Sequence, residues 1–234
     1  MSHSYSHLTV RPLDFWLARG AVLIIVTLQI SIVNDLTMGP PWLAPALEIL
    51  LLIPLSIATA WSQGRARRAS TKQQWDLVAR DVARVRLLAI VLTGLVTLMN
   101  FGALARLIHA ILAGDAGSGR TLLLDAVNIW TTNVIIFALW FWGLDRGGPA
   151  GASGRKQQSD FLFTQQMKDA SARFPGWSPG FIDYLFLAFT NATAFSPADT
   201  LPLTVRAKLL MMAQSSISLV TIAVVASRAV GILN

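Results

Sequence analysis

The segment FIDYLFLAFTNATAFSPADTLPLT, residues 181–204, is apolar in its first half and turns polar between Ser196 and Asp199. A longer apolar stretch, 209–225, follows it. The apolar half, 181–195, would reach only about 22 Å as a helix, whereas the hydrocarbon core of a bilayer is about 30 Å thick. We therefore interpret 181–195 as a half-helix that enters a membrane and does not cross it.

The composition is that of an integral membrane protein. Hydrophobic residues make up 54% of the chain and charged residues only 13%, which lies outside the usual range of soluble domains. Five apolar runs have about the 20 residues that a transmembrane helix needs. These runs are 18–36, 43–61, 87–104, 122–144 and 209–225. The expected fold class is an all-α integral membrane protein with about five transmembrane helices and one re-entrant half-helix before the last span.

The basic residues are unevenly distributed along the chain. Of the 19 Lys and Arg residues, two lie in 11–19, seven in 65–86 and seven in 146–208. With five spans these three segments fall on one side of the membrane, which by the positive-inside rule is the cytoplasmic side. We expect a multi-pass protein of a bacterial cytoplasmic (inner) membrane with a cytoplasmic N-terminus. The expected partner of this charge is the lipid bilayer and not a nucleic acid.

One short motif is similar in spacing to a phosphate-binding loop. It is GDAGSGRT, residues 114–121, but Arg120 stands where such a loop has a Lys. A membrane helix is predicted on each side of it, whereas a nucleotide-binding loop follows a strand. We interpret the motif as a hairpin between spans, and we expect no enzymatic activity, no cofactor and no metal site.

The C-terminal part of the chain carries an ordered set of residues from the half-helix to the last span. They are Tyr184, Phe189, Thr193, Asp199, Pro202, Thr204, Ala207 and Lys208. In this order the segment 181–210 resembles the pore segment of tetrameric potassium channels: an aromatic-rich pore helix, then T-x-G-Y-G-D, then P-x-T and a basic residue at the start of the inner helix. The tail is also similar to that of an uncharacterised family of bacterial integral membrane proteins, which carry the run F-T-N-A-T-A-F-S-P-x-D-T.

The filter-like turn departs from the channel pattern. Its candidate residues are Thr193, Ala194, Phe195, Ser196, Pro197, Ala198 and Asp199. A potassium filter uses glycines to reach left-handed backbone angles, whereas Ser196 and Ala198 carry a Cβ and Pro197 has no N–H. A normal potassium filter is therefore not expected. The resemblance implies instead a cation site between the carbonyl end of the half-helix, the Thr193 and Ser196 hydroxyls and the Asp199 carboxylate.

The resemblance also divides the chain into two regions. Residues 1–113 form an N-terminal three-helix membrane region, and 114–234 form a pore-domain-like region. The second region consists of a span at 122–144, a polar loop at 145–180, the half-helix at 181–195, the filter-like turn at 196–203 and the last span at 204–230. In the polar loop we expect a linker, followed by a segment whose aromatic residues face lipid headgroups or pack against the spans. These aromatic residues are Phe161, Phe163, Phe174 and Trp177.

Four ionisable residues lie toward the outer ends of the predicted membrane helices and at a similar depth. They are Glu48, Arg106, Asp125 and Arg228. An ionised side chain costs about 2.5 to 3.5 kcal/mol at the bilayer centre unless it is paired or hydrated. We expect interhelical pairs of acid and arginine that fix the packing of the bundle. The alternative is that the arginines extend to the outer interface.

Two functions fit these features. The first is a channel-like protein that conducts monovalent cations through a non-standard filter, as a homo-oligomer and as a tetramer if it is a channel. With the charge bias, its half-helix enters from the cytoplasm, an inverted arrangement that resembles glutamate-receptor channels. The second is a non-conducting accessory or scaffold subunit of a larger membrane complex.

Overall fold

The computed structural model describes residues 12–31, 42, 43, 45–50, 52, 53, 56, 72–114, 118–145, 159–194, 196, 197 and 199–233. This part of the chain contains six α-helices whose bounds are described and one two-stranded sheet. The helices are α1 (Pro12–Ser31), α2 (Lys72–Leu112), α3 (Gly119–Leu144), α4 (Lys168–Ser171), α5 (Phe181–Thr193) and α6 (Val205–Leu233). The strands are β1 (Phe161–Phe163) and β2 (Thr200–Pro202), and a 3-10 turn at Thr164–Gln166 follows β1.

Among the described residues, four helices are long and apolar enough to cross a membrane, which confirms the predicted class of multi-pass helical membrane protein. The apolar segments are Leu13–Ile30, Arg86–Leu112, Gly119–Leu144 and Val205–Ser227. They correspond to the first, third, fourth and fifth predicted spans. The remaining predicted span, 43–61, falls largely on residues that the structure does not describe, although 45–50 are helical.

Helix α2 is much longer than the span predicted at 87–104. It has 41 residues, and a helix of that length is about 60 Å long, twice the thickness of a bilayer core. The stretch 72–86, which belongs to the basic segment 65–86, is helical because it contains no Pro or Gly and is rich in good helix formers. The first turns of α2 therefore extend beyond its apolar segment.

The hairpin between α2 and α3 has a helix on each side, as predicted for the segment 114–121. Gly114 follows the end of α2 with a φ of 74°, a left-handed angle that glycine adopts without strain. Ser118 begins α3 by accepting a hydrogen bond from the Thr121 N–H at 3.2 Å. This helical context does not provide the preceding strand that a nucleotide-binding loop requires.

Several elements meet at one end of the bundle, which we call the near end. The Phe181 N–H at the start of α5 donates to Asp14 in the first turn of α1 at 3.1 Å. Arg86 of α2 donates through Nε to the Gly143 carbonyl of α3 at 3.3 Å. Arg206, in the first turn of α6, donates to the last carbonyl of α3 at 3.2 Å. The described ends of the three basic segments thus lie together.

Strand β1 precedes α5 in the sequence and β2 follows it, and the two strands pair with each other. The antiparallel register places Phe161 opposite Pro202 and Phe163 opposite Thr200. The filter-like turn predicted at 196–203 is therefore only partly a turn, since its last part is strand β2. Helix α5 ends at Thr193, close to the predicted end of the half-helix.

The aromatic residues around β1 form the centre of the core at the near end. Phe161 and Phe163 are each 1% exposed, so the alternative in which they face lipid headgroups is wrong. The β1–β2 pairing holds them against α3 and α5, where burial of their rings is favourable. Their edge-to-face contacts are Phe161 with Phe141 at 5.1 Å and Phe163 with Tyr184 at 5.3 Å. Phe174 remains half exposed.

Candidate functional site

The start of α5 is fixed by two carboxylates. Asp183 accepts a hydrogen bond from the Gly180 N–H at 2.7 Å, and Asp14 accepts one from the Phe181 N–H. Both acids accept hydrogen bonds from N–H groups that have no partner within the helix. Their negative charges also interact favourably with the positive end of the helix dipole. A Cβ at position 180 would lie 2.6 Å from the Asp14 carboxylate, so a larger residue there would displace that side chain.

A buried group of polar side chains joins the second half of α5 to α6. We call it the polar bridge and define it as Asn133, Asn191, Gln214, Ser215 and Ser218. Gln214 donates to the Ala188 carbonyl at 2.8 Å and accepts from the Asn191 amide at 2.8 Å. Ser215 donates to the Asn191 carbonyl at 3.2 Å. These contacts lock α5 against α6 within an otherwise apolar core.

The polar bridge also reaches α3. The Asn133 amide donates to the Ser218 hydroxyl at 2.9 Å and to the Gln214 carbonyl at 3.2 Å. Asn133 of α3 is thereby joined to Gln214 and Ser218 of α6. Polar contacts of this kind hold membrane helices together at a typical strength of about 0.6 kcal/mol and at most about 2 kcal/mol.

The polar bridge lies deep in the bundle. Gln214 is nine residues beyond Val205, the first residue of α6, which corresponds to about 13 Å along the helix. If the near end lies at a membrane surface, this depth is close to the middle of a core of about 30 Å. Helix α5 therefore runs from the near end to the middle of the bundle.

The residues predicted to form a filter are not all in one place. Thr193, Ala194 and Ser196 lie exposed at the inner end of α5, and we call these three residues the tip. Pro197 is half-buried, and Phe195 and Ala198 lie outside the described residues. Asp199 is instead bound at the sheet, where its carbonyl accepts from the Thr164 N–H at 3.0 Å.

The surroundings of Asp199 exclude a capping role for it. Its carboxylate accepts from the Thr200 hydroxyl at 3.1 Å. The start of α6 is capped by Thr204, whose hydroxyl accepts from the Ala207 N–H at 3.2 Å. Thr204 therefore caps this helix, and Asp199 is held at the sheet instead.

The last carbonyls of α5 are partly occupied by hydroxyl groups. Thr193 donates back to the Phe189 carbonyl at 2.8 Å, and the Ala194 N–H donates to the Thr190 carbonyl at 2.9 Å. The Asn191 carbonyl accepts from Ser215 of the polar bridge. These bonds reduce the number of carbonyls that the negative end of the helix dipole presents.

Two buried acids at the near end were not identified from the sequence, because they fall in the segment interpreted as a linker. The Asp145 carboxylate accepts from the Tyr184 hydroxyl at 2.5 Å and from the Asp160 N–H at 2.6 Å. Asp160 accepts from the Thr204 hydroxyl at 2.5 Å and is paired with Arg206. The available signal was their position, because Asp145 directly follows an apolar run and Asp160 directly precedes Phe161.

The four predicted intramembrane ionisable residues do not form one described cluster. Glu48 is 0% exposed and accepts from the Gln29 amide at 2.7 Å, so its described partner is an amide and not an arginine. Asp125 is buried on α3 and Arg106 is exposed on α2, while the side chain of Arg228 lies outside what the structure describes. Pairing among these last three residues stays a prediction.

Comparison with protein-family models, with curated proteins and with solved structures finds no match to this chain. The features of this chain that bear on its function are the geometry of α5, the tip and the polar bridge.

Proposed function

We propose that the chain is a pore-loop-like subunit of a homo-oligomeric membrane channel for monovalent cations. The observation that carries this proposal is the tip, where the helical backbone of α5 ends and the Thr193 and Ser196 side chains are exposed at a depth near the middle of the bundle. Non-helical backbone at such a depth is tolerated only where it is covered by protein or lines water. Neighbouring copies around a shared axis would provide both conditions.

The path of the chain supports a re-entrant hairpin. Helix α5 begins at the near end beside Asp14 and ends beside Gln214 in the middle of the bundle. The chain then returns to β2, which pairs with β1, and α6 starts beside Leu144 at the near end. A helix that leads inward and an extended segment that leads back to the same side are the two parts of a pore loop.

Five crossings are also part of the proposal. Helix α1 starts at the near end and has 20 residues, about 30 Å, so it ends at the far end. Arg86 of α2 is again at the near end. The chain between them must cross once more, and the contact of Glu48 with Gln29 supports a span that begins near residue 43.

The near end is the cytoplasmic side in this proposal, because the three segments rich in Lys and Arg meet there. The protein is then a multi-pass protein of a bacterial inner membrane, with its N-terminus inside. The hairpin enters from the cytoplasm. In a ring of four subunits, the Thr193 and Ser196 positions would line the inner end of the pathway.

A specific observation favours the second candidate, a non-conducting accessory subunit. The carbonyls of Phe189 and Asn191 already accept bonds from Thr193 and Ser215, which leaves fewer oxygens for an ion. In this alternative the tip is covered by another membrane protein, and the polar bridge serves only to hold α5.

A cysteine introduced at the tip distinguishes the channel from the accessory subunit. The native chain has no cysteine, so Ser196→Cys introduces a single thiol. In proteoliposomes of the channel, cation flux should fall after addition of a charged, water-soluble thiol reagent. Leu98→Cys is the matched control, because Leu98 is an exposed apolar residue of the α2 span and should face lipid. A wild-type protein that is monomeric in mild detergent and passes no monovalent cation would exclude the channel.

A further inference from the structure

Glu48 is a buried acid that lies apart from the α5 hairpin. Its side chain is 0% exposed, and its Oε1 accepts a hydrogen bond from Gln29 Nε2 at 2.7 Å. Gln29 lies 17 residues beyond Pro12 in α1, about 25 Å from the near end. The carboxyl group therefore lies in the far half of the bundle, where an unpaired charge is costly.

No positive charge of the described residues compensates this acid. Its hydrogen-bond partner among the described residues is the Gln29 amide, and no described Lys or Arg forms a salt bridge with it. A carboxylate in this position would be an uncompensated buried charge.

Two oxygen atoms of the Glu48–Gln29 pair indicate how the buried acid is compensated. Glu48 Oε2 and Gln29 Oε1 are both buried and have no hydrogen-bond partner among the described residues. They belong to the same two groups that share the bond from Nε2 to Oε1. Each of these acceptors is therefore a buried polar atom without a donor, which costs free energy.

One proton shared between Glu48 Oε2 and Gln29 Oε1 would satisfy both atoms. A carboxylic acid and a primary amide can form two bonds in one ring: the amide N–H donates to the acid carbonyl, and the acid O–H donates to the amide carbonyl. The first bond is present between Gln29 and Glu48. The second requires a proton on Glu48 Oε2, which then donates to Gln29 Oε1.

We propose that Glu48 is protonated, and therefore neutral, and that Glu48 and Gln29 together form a proton-binding site in the far half of the bundle. The proton comes from water and is held between two oxygens, so no counter-ion is needed. A small monovalent cation held by the same two oxygens is the competing chemistry. The two are distinguished by experiment.

The primary measurement is the infrared spectrum of the purified wild-type protein at about pH 7.3. An exposed glutamate is about a thousandfold depleted in its protonated form at this pH, so a carbonyl band of a protonated acid reports a buried group. We expect such a band in the wild type and its loss in Glu48→Gln. Asp125→Asn is the control, because it removes the other buried acid of the spans, and the Glu48 band should remain.

A second measurement does not depend on a variant. Dicyclohexylcarbodiimide, an apolar reagent, adds to protonated carboxyl groups in apolar surroundings, and peptide mass spectrometry of the wild type should locate it on Glu48. Absence of both the band and the label overturns the proposal. Suppression of both by sodium ions, with no effect of choline at equal concentration, also overturns it and assigns a cation to the site.

Discussion

The buried carboxylate of Asp160, which directly precedes β1, forms an ion pair with Arg206 in the first turn of α6. The two residues are separated by 46 positions in the sequence. Thr204 donates a further hydrogen bond to the same carboxylate at 2.5 Å. One acid thus joins the chain that leads into the α5 hairpin to the helix that follows it.

We expect Arg206→Gln to destabilise the protein by about 1.5 to 3 kcal/mol, because it leaves a buried carboxylate without its charged partner. The lower part of this range applies if solvent screens the pair, since the Arg206 side chain is 52% exposed. Lys208→Gln is the matched control and should cost less than about 0.5 kcal/mol. The free energies of unfolding of the two variants, measured in the same detergent, give both losses of stability. Equal losses in the two variants would show that the ion pair has no special role.

The sequence predicts the elements of this fold better than their contacts. Helix α5 could be located because 181–195 is apolar and too short to cross a membrane, and this property is local. The pairing of Phe161 with Pro202 could not be predicted, because it joins three-residue strands far apart in the chain. The same holds for Asp145 and Asp160, since a carboxylate in a Gly- and Ser-rich segment carries no signal of the buried partner that it finds. The separation of Asp199 from the tip could not be predicted either, because Asp199 is held at the sheet by the same long-range strand pairing.

The polar bridge should show coupling between Asn191 and Gln214. Either Asn191→Leu or Gln214→Leu leaves a buried partner unsatisfied and should cost about 1 to 3 kcal/mol. The double variant should cost less than the sum of the two, with a coupling of about 0.6 to 1.7 kcal/mol. Ser216→Ala, on the exposed side of α6, is the control. Strict additivity in a double-mutant cycle would contradict the described contact.

Two glycines provide a test of the contact between α1 and α5. In Gly180→Ala the new Cβ would lie 2.6 Å from Asp14 Oδ1, so we expect a loss of about 1 to 3 kcal/mol. In Gly143→Ala no atom lies within 4 Å of the new Cβ, and alanine in a helix should be neutral or stabilising by up to about 1 kcal/mol. Melting temperatures of the two variants give the comparison. The reverse order would mean that Asp14 does not hold the start of α5.

The orientation of the bundle can be tested with single cysteines at exposed alanines of opposite ends. Ala172 follows α4 at the near end, and Ala113 follows α2 at the far end. With the near end in the cytoplasm, Ala172→Cys should be protected from a membrane-impermeant thiol reagent in intact cells, and Ala113→Cys should react. Both should react after the cells are opened, which controls for exposure. The opposite labelling pattern would invert the proposed topology.

Asp199 separates the two proposed functions through a single change. Its carboxylate is half-buried and accepts from Thr200, and its carbonyl is bound to the 3-10 turn after β1. Asp199→Asn keeps the size of the side chain and the backbone contact, so we expect a cost in stability of less than about 1 kcal/mol. In the channel, loss of one negative charge per subunit should lower monovalent cation flux in proteoliposomes while assembly is retained. In an accessory subunit neither the wild type nor the variant conducts. Flux that is unchanged by Asp199→Asn but abolished by modification of Ser196→Cys would place the ion pathway at the tip and away from β2.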